Sequence, residues 1–200
     1  MSKYHVTVQH DPDTEDPSNN GDDGRWKIYS FCKRHVNFKD PEEFLIDQDT
    51  ETVKAEIQAK LESGLAFFLS YYEHGLCMWS LAGTGPQCQW DSVSKAGIAI
   101  WEEPEENNGA KTYDDRAKDC KVELEEYTDW CNGNCYYYRI TTKKGKEIGS
   151  SGSIIGDYIA DAIREELPED ATKENTEIDD QIGCLAYVNL FDRKSALTPA

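Results

Sequence analysis

Four polar side chains near the middle of the sequence are of types that perform nucleophilic chemistry. His74 lies three residues before Cys77, and Asp91 directly precedes Ser92. A thiol or a hydroxyl becomes a nucleophile when a base lies beside it. The chain has no G-x-S-x-G or H-E-x-x-H motif that would place such groups in a known catalytic setting. These residues therefore leave two interpretations open.

In the first interpretation, His74 and Asp91 belong to a pocket that binds a small ligand or performs catalysis. Its lining would be His74, Trp79, Trp90, Asp91 and Tyr136. In the second, His74 is a turn histidine bonded to backbone and Asp91 caps a turn after Trp90. The sequence leaves open whether the protein is an enzyme.

Metal and phosphate sites are not indicated. Cys131 and Cys135 lack a second pair of zinc ligands at a recognisable spacing, and as helix-end thiols they are expected in the core. The acidic run 11–16 lacks the glycine and the glutamate that an EF-hand calcium loop requires. The glycines of 83–86 precede no Lys-Ser or Lys-Thr pair, so this stretch is expected to be a turn. We expect no metal ion and no cofactor.

Charge is the most distinctive property of the chain. Its 200 residues include 39 acidic and 21 basic ones, which gives a formal net charge of −18. A surface of this sign repels nucleic acids and anionic membranes and attracts cationic protein surfaces. The charge therefore predicts a basic protein, a cation or no partner, with no direct binding of nucleic acid or membrane; of these, a basic protein is the leading prediction.

The acidic residues occur in blocks. The first is a loop at about 11–24, expected to be mobile and to join two neighbouring strands. A second loop follows a short strand at 97–101, a third block lies on a predicted helix, and residues 165–180, here called the acidic segment, carry eight acids and one lysine. The candidate partner-binding residues are Glu102, Glu103, Glu105, Glu106, Asp119, Glu123, Glu126, Asp129, Glu165, Glu166, Glu169 and Asp170.

Rows of carboxylates can occupy the basic groove of a DNA-handling protein, since duplex DNA carries about one charge per 1.7 Å. The alternative is that the acids serve solubility alone. The sequence is compatible with both interpretations.

The elements that must hold these residues alternate irregularly. Short runs of period-two hydrophobicity predict strands and hairpins, including a hairpin at 135–151, and an apolar stripe predicts a helix at about 113–131. Ser153 is predicted to cap a closing helix, and 184–191 to form a final strand. We predict one domain over residues 1–200, an α+β fold with a mostly antiparallel sheet, two or three packed helices and projecting acidic loops.

The start of the chain is polar, and no stretch approaches the roughly 18 apolar residues of a membrane span. Seven cysteines without a secretory signal predict reduced thiols rather than a disulfide framework. A cytosolic protein is expected.

The central sequence resembles an uncharacterised family of tailed-bacteriophage accessory proteins with a Tyr-x-His-(Ser)-Gly, Cys-x-Trp-Asp-Ser and Gly pattern. A helix with Glu-x-x-x-Tyr, followed by a glycine and a tyrosine, resembles a later part of that family. The matching positions are Tyr72, His74, Gly75, Cys88, Trp90, Asp91, Ser92, Gly97, Glu123, Tyr127, Gly133 and Tyr136.

This resemblance implies a viral gene and no particular activity. Small acidic proteins of phages are often inhibitors of host machinery, so it favours a protein that acts in the cytoplasm of the infected host cell. The leading hypothesis is an inhibitor of an anti-CRISPR or anti-restriction type that mimics nucleic acid. A ligand-binding protein or enzyme, and a virion accessory protein, are the alternatives.

Overall fold

The chain folds into two compact units. The computed structural model describes residues 2–19, 26–44, 53–101, 111–185 and 188–191. The terminal unit combines Met1–Glu15 with Gly133–Ala200, and the central unit is formed by Asp16–Asn132. The prediction of a single domain stays a prediction.

The described residues form eight strands and three α-helices. The strands are β1 (Tyr4–His10), β2 (Trp26–Ser30), β3 (Ala66–His74), β4 (Leu76–Leu81), β5 (Ser92–Trp101), β6 (Cys135–Thr142), β7 (Glu147–Ile155) and β8 (Thr176–Asp180). The helices are α1 (Ala55–Ser63), α2 (Tyr113–Cys131) and α3 (Tyr158–Glu166).

The terminal unit contains a four-stranded sheet in the order β7-β6-β1-β8. Strand β1 is antiparallel to β6 and parallel to β8. Val6 and Val8 of β1 are fully buried, which follows from the period-two alternation of its sequence. Ile159 and Ile163 of α3 lie in the same hydrophobic cluster, so α3 packs on this core.

The central unit contains a fully antiparallel sheet in the order β2-β5-β3-β4. Helix α2 buries Cys120, Leu124 and Tyr127, which recur at intervals of four and three residues, in a cluster with Trp26 and Trp79. The helix begins with a capping box between Thr112 and Asp115. A second cluster, around Ile57 of α1, lies with Ile98 and Ile100 of β5.

Side chains from the end of α2 occupy the edge of β4. The backbone N–H of Trp79 donates to the hydroxyl of Thr128 (3.0 Å). The side-chain amide of Asn132 accepts from the backbone N–H of Cys77 (2.9 Å) and donates to its carbonyl (3.0 Å). These contacts satisfy groups that an edge strand would otherwise expose.

The α+β fold and its mostly antiparallel pairing are confirmed, as is the helix predicted at 113–131. The acidic loop after β1, however, does not join neighbouring strands, since β1 and β2 belong to different sheets. Within it, Pro17–Asn19 form a short 3₁₀ turn and Asp16 is buried. Residues 20–24 of this loop lie outside the described part of the chain.

Two boundary predictions near the C-terminus are wrong. Ser153 lies inside β7 with φ +56°, and its N–H donates to Asp11 (2.7 Å), whereas Asp157 precedes α3. The described residues of 184–191 form turns and irregular backbone, not a strand. The strand lies instead within the acidic segment, as β8, because pairing with β1 satisfies its backbone there.

Candidate functional site

The exposed face of the acidic segment begins in the last turn of α3. Glu165 and Glu166 end that helix, Glu169 lies three residues further on in the turn after it, and all three are exposed. Within the described part of the chain, no lysine or arginine forms an ion pair with any of them, whereas Arg164 pairs with Asp161. This cluster of three is here called the α3 acidic patch.

The field of the α3 acidic patch acts on a neighbouring tyrosine. Burial raises the pKa of the Tyr138 hydroxyl, and the charges of Glu166 and Glu165 raise it further. A negative potential disfavours formation of a second anion nearby. The patch therefore presents a local negative potential that a cationic group would relieve.

Other carboxylates of the acidic segment are bound by the protein itself. Asp170 accepts hydrogen bonds from the ammonium of Lys3 and the hydroxyl of Tyr4, and these bonds, that of Lys3 first, lower its pKa. Asp180 accepts from the backbone N–H groups of Gly183 (2.9 Å) and Leu185 (2.8 Å) at the end of β8. Asp170, a candidate partner-binding residue, thus has a structural contact within the terminal unit.

The candidate residues on α2 lie along a half-buried flank. Asp119, Glu123, Glu126 and Asp129 are all partly covered. Asp119 accepts a hydrogen bond from the indole N–H of the buried Trp26 (2.9 Å). At least one of these four carboxylates therefore supports the fold of the central unit.

The remaining candidate residues for partner binding, Glu102, Glu103, Glu105 and Glu106, lie outside the described residues. Their prediction stays a prediction.

The structure brings His74 and Asp91 together at the surface of the central unit. The Nδ1 atom of His74 lies 3.3 Å from Oδ2 of Asp91, and the thiol of Cys88 donates to the same oxygen (3.3 Å). His74 ends β3, while Cys88 and Asp91 belong to the turn before β5. Trp90, between them, is 86 % exposed. This group is here called the His74 cluster.

Two of the five residues predicted for that pocket lie elsewhere. Trp79 is buried in the core of the central unit, where its ring lies 5.9 Å from that of Tyr127. Tyr136 belongs to β6 of the terminal unit, and its ring lies 5.8 Å from that of His10. The alternation of β4 determines the position of Trp79, since its odd-numbered residues face α2.

Nothing in the sequence indicated a second polar pair, in which the histidine His35 lies beside a serine hydroxyl. Ser30 Oγ lies 2.8 Å from Nδ1 of His35, and Ser30 also accepts from the backbone N–H of Cys32 (3.1 Å). Burial lowers the pKa of His35, which favours the neutral imidazole. Because Ser30 is fully buried, its hydroxyl cannot reach a substrate, and the pair holds the turn after β2.

The surface hollows lined by described residues include two that have room for a small molecule. One, of about 480 Å³, lies between β4 and α2 and includes Met78, Trp79 and Thr128. The other, of about 570 Å³, is lined by Ser2, Tyr4 and Thr142 together with four lysines: Lys3, Lys143, Lys144 and Lys146. Neither includes His74 or Asp91. Within the described ranges, no three or more His, Cys, Asp or Glu side chains are placed to hold a metal ion.

The chain matches no protein family model, no curated protein and no solved structure. None of the helices in the described part of the chain is both long and apolar enough to cross a membrane.

Proposed function

We propose that the protein is a phage-encoded inhibitor that binds a basic, nucleic-acid-handling host protein and blocks its nucleic-acid site. The observation that carries this proposal is the α3 acidic patch, where Glu165, Glu166 and Glu169 are exposed and form no ion pair with the lysines and arginines among the described residues. A CRISPR effector or a restriction enzyme has the kind of basic groove that such a patch would enter.

The frame around the patch supports this function. Glu165 and Glu166 are held by α3, whose apolar face packs on the sheet of the terminal unit. Carboxylates on a folded frame lose less conformational entropy on binding than those of a flexible tail. The net charge of −18 adds long-range attraction toward a cationic partner.

The experiment is an affinity capture from host lysate with the tagged full chain, at low and at high salt. A basic nuclease or effector that is captured at low salt and released at high salt is expected, because exposed charge contacts are screened over about 8–10 Å at physiological ionic strength.

Two variants separate the patch from overall charge. The first combines Glu165→Lys, Glu166→Lys and Glu169→Lys. The matched control combines Glu42→Lys, Glu56→Lys and Glu62→Lys, which are exposed in the central unit, so that both variants change the net charge of −18 by the same amount. Capture should fail with the first and persist with the control. Equal capture by both variants, or equal loss, would contradict the proposal.

A second candidate function rests on the His74 cluster, where a histidine, a carboxylate and a thiol meet within 3.3 Å contacts. Such a group could bind a small ligand or transfer a proton. Under this alternative, His74→Ala and Asp91→Ala abolish function while the far-ultraviolet circular dichroism spectrum stays unchanged. Full function of both variants would exclude it.

A further inference from the structure

The turn between β6 and β7 concentrates positive charge in a chain whose net charge is −18. It carries three exposed lysines, here called the turn lysines: Lys143, Lys144 and Lys146. They line the hollow of about 570 Å³ in the terminal unit, here called the lysine hollow. None of the described residues that line it is acidic. Besides the turn lysines, they are Ser2, Lys3, Tyr4 and Thr142.

Hydrogen bonds fix the backbone that carries the turn lysines. The backbone N–H of Lys143 donates to the carbonyl of Lys3 (2.9 Å), which joins the turn to the start of β1. Gly145 donates to the carbonyl of Thr142 (2.8 Å) and has φ +79°, a conformation that favours glycine. The backbone N–H of Lys146 donates to the Thr142 hydroxyl (3.1 Å). Because this backbone is already ordered, a ligand would not have to order it on binding.

The turn lysines keep their charge available. Within the described part of the chain, none of their side chains forms an ion pair. The neighbouring acids have other partners, since Asp170 binds Lys3 and Glu147 lies 4.0 Å from Arg139. The ammonium group of Lys3 is therefore neutralised, whereas those of the turn lysines are not.

This arrangement determines the charge of the ligand. An ammonium group is a point charge with three donors and binds phosphate oxygens. Three such groups are balanced by a chain of linked phosphates, whereas a single carboxylate would balance only one of them. The volume of about 570 Å³ is within the range of small-molecule sites, roughly 300–1,000 Å³.

The surroundings of the lysine hollow limit the length of the ligand. The exposed Glu147 directly follows Lys146, and the exposed Glu177 accepts a hydrogen bond from the hydroxyl of Ser2 (3.4 Å). A long polyanion that extended past the hollow would meet these carboxylates and be repelled. A short anion is therefore favoured over a nucleic-acid strand.

We propose that the lysine hollow binds a small molecule with two or three linked phosphates, either a nucleotide or inorganic polyphosphate. The net charge of −18 does not prevent this, because the fields of distant carboxylates are screened over about 8–10 Å at physiological ionic strength. The site is independent of the proposed function, since the described residues that line it include none of the α3 acidic patch.

The first test uses the original full chain and inorganic triphosphate, without magnesium, which would neutralise the phosphates. Calorimetric titration gives Kd, and acetylation of lysines followed by mass spectrometry locates the site. At a triphosphate concentration about ten times Kd, acetylation of the turn lysines should slow by about tenfold. The exposed Lys33, Lys54 and Lys118 of the central unit should react at an unchanged rate. No detectable binding at low salt, or equal protection of both sets, would overturn the proposal.

Two variants then separate the site from overall charge. The first replaces the three turn lysines by glutamine and should weaken binding by about tenfold or more, because each exposed charge contact contributes modestly. The matched control combines Lys33→Gln, Lys54→Gln and Lys118→Gln, which removes the same charge, and should change Kd by less than about twofold. Circular dichroism and urea unfolding establish that both variants are folded. Equal loss of binding by two folded variants would contradict the assignment.

Three further probes identify the ligand. Binding of adenosine triphosphate more tightly than inorganic triphosphate would support the proposal with a nucleotide as the ligand, and equal binding would support it with the phosphate chain alone. Inorganic monophosphate should bind more weakly than either. Tighter binding of monophosphate, or of a single-stranded oligonucleotide, would overturn the proposal of a short chain of linked phosphates.

Discussion

The acidic segment and helix α2 carry eight and seven acidic residues, respectively, but the protein uses them differently. Helix α2 also holds three basic residues, and its Asp119 supports the buried Trp26. The acidic segment has a single lysine, and three of its exposed carboxylates form no ion pair within the described part of the chain.

The comparison teaches that a count of acids does not measure a binding surface. A carboxylate that satisfies a buried donor is committed to the fold, since its removal leaves that donor unpaired. One that faces solvent without a cation beside it can neutralise a partner at little cost to the fold. The two regions should therefore respond in opposite ways to substitution.

The largest effect is expected on partner binding. Replacing Glu165, Glu166 and Glu169 by lysine should weaken binding of the captured partner by about 100-fold, because each repulsive contact opposes association. Replacing the exposed Asp114 and Glu125 of α2 by lysine, which reverses their charge, should change the Kd for the same partner by less than about threefold. Calorimetric titration at two salt concentrations measures both. Greater sensitivity at α2 would reverse our assignment of the two regions.

On the other side of the comparison, Asp119→Ala should destabilise the central unit by about 2 kcal/mol, because the indole N–H of Trp26 loses its acceptor. Urea unfolding followed by tryptophan fluorescence measures this change. Asp119→Asn keeps an oxygen acceptor and should cost less, and Glu125→Ala should stay within about 0.5 kcal/mol. An Asp119→Ala variant as stable as Glu125→Ala would show that the contact contributes little.

Within the acidic segment, Asp170 provides an exception that sharpens the contrast. Tyr4→Phe removes a hydroxyl that donates to Asp170 and should cost about 1 kcal/mol of unfolding free energy. The exposed Tyr158 is the control, and Tyr158→Phe should leave stability unchanged. Equal stability of the two variants would show that the Tyr4 bond to Asp170 contributes little to the fold. Asp170 would then be as free to bind a partner as the carboxylates of the α3 acidic patch.

The smallest effect is a pair of opposite pH dependences. Burial raises the pKa of Asp16, so the folded state holds its proton more tightly and stability from this group falls as pH rises above about 4. The bonds from Lys3 and Tyr4 lower the pKa of Asp170, so its contribution is present above that pH and is lost as pH falls below it. Urea unfolding between pH 3 and pH 6, at roughly unit steps, should show opposite slope changes for Asp16→Asn and Asp170→Asn. Slope changes of the same sign would contradict these directions.

Local pattern was sufficient to predict α2. Its apolar residues recur at helical spacing over five turns, and its predicted bounds agree with Tyr113–Cys131. The hairpin of β6 and β7 followed in the same way from its turn residues. These elements depend on neighbours in sequence, which is why the sequence alone identifies them.

Strand β8 could not be predicted because its pairing is not local. Thr176–Asp180 has three acids in five residues, a composition that predicts exposed irregular chain. It forms a strand because β1, more than 160 residues earlier, offers a free edge in parallel register. The burial of Asp16 next to a proline-containing turn likewise depends on packing that composition does not report.

The candidate sites show the same limit. The approach of His74 to Asp91 was within reach of sequence reasoning, since a predicted turn ended near each residue. The burial of Trp79 in the core could not be predicted, because it depends on which face of β4 packs against α2. The bonds from Thr128 and Asn132 to the edge of β4 were missed because they join two elements that only the packing of α2 on β4 brings together.

The occupied edge of β4 has a consequence for how the protein behaves at high concentration. Thr128 and Asn132 bind the backbone groups through which a strand from another molecule would add, and β8 carries Glu177 and Asp179 exposed on its own margin. Neither edge offers a template for growth of a shared sheet between molecules. The chain can therefore reach high concentration without seeding fibrils along these two edges.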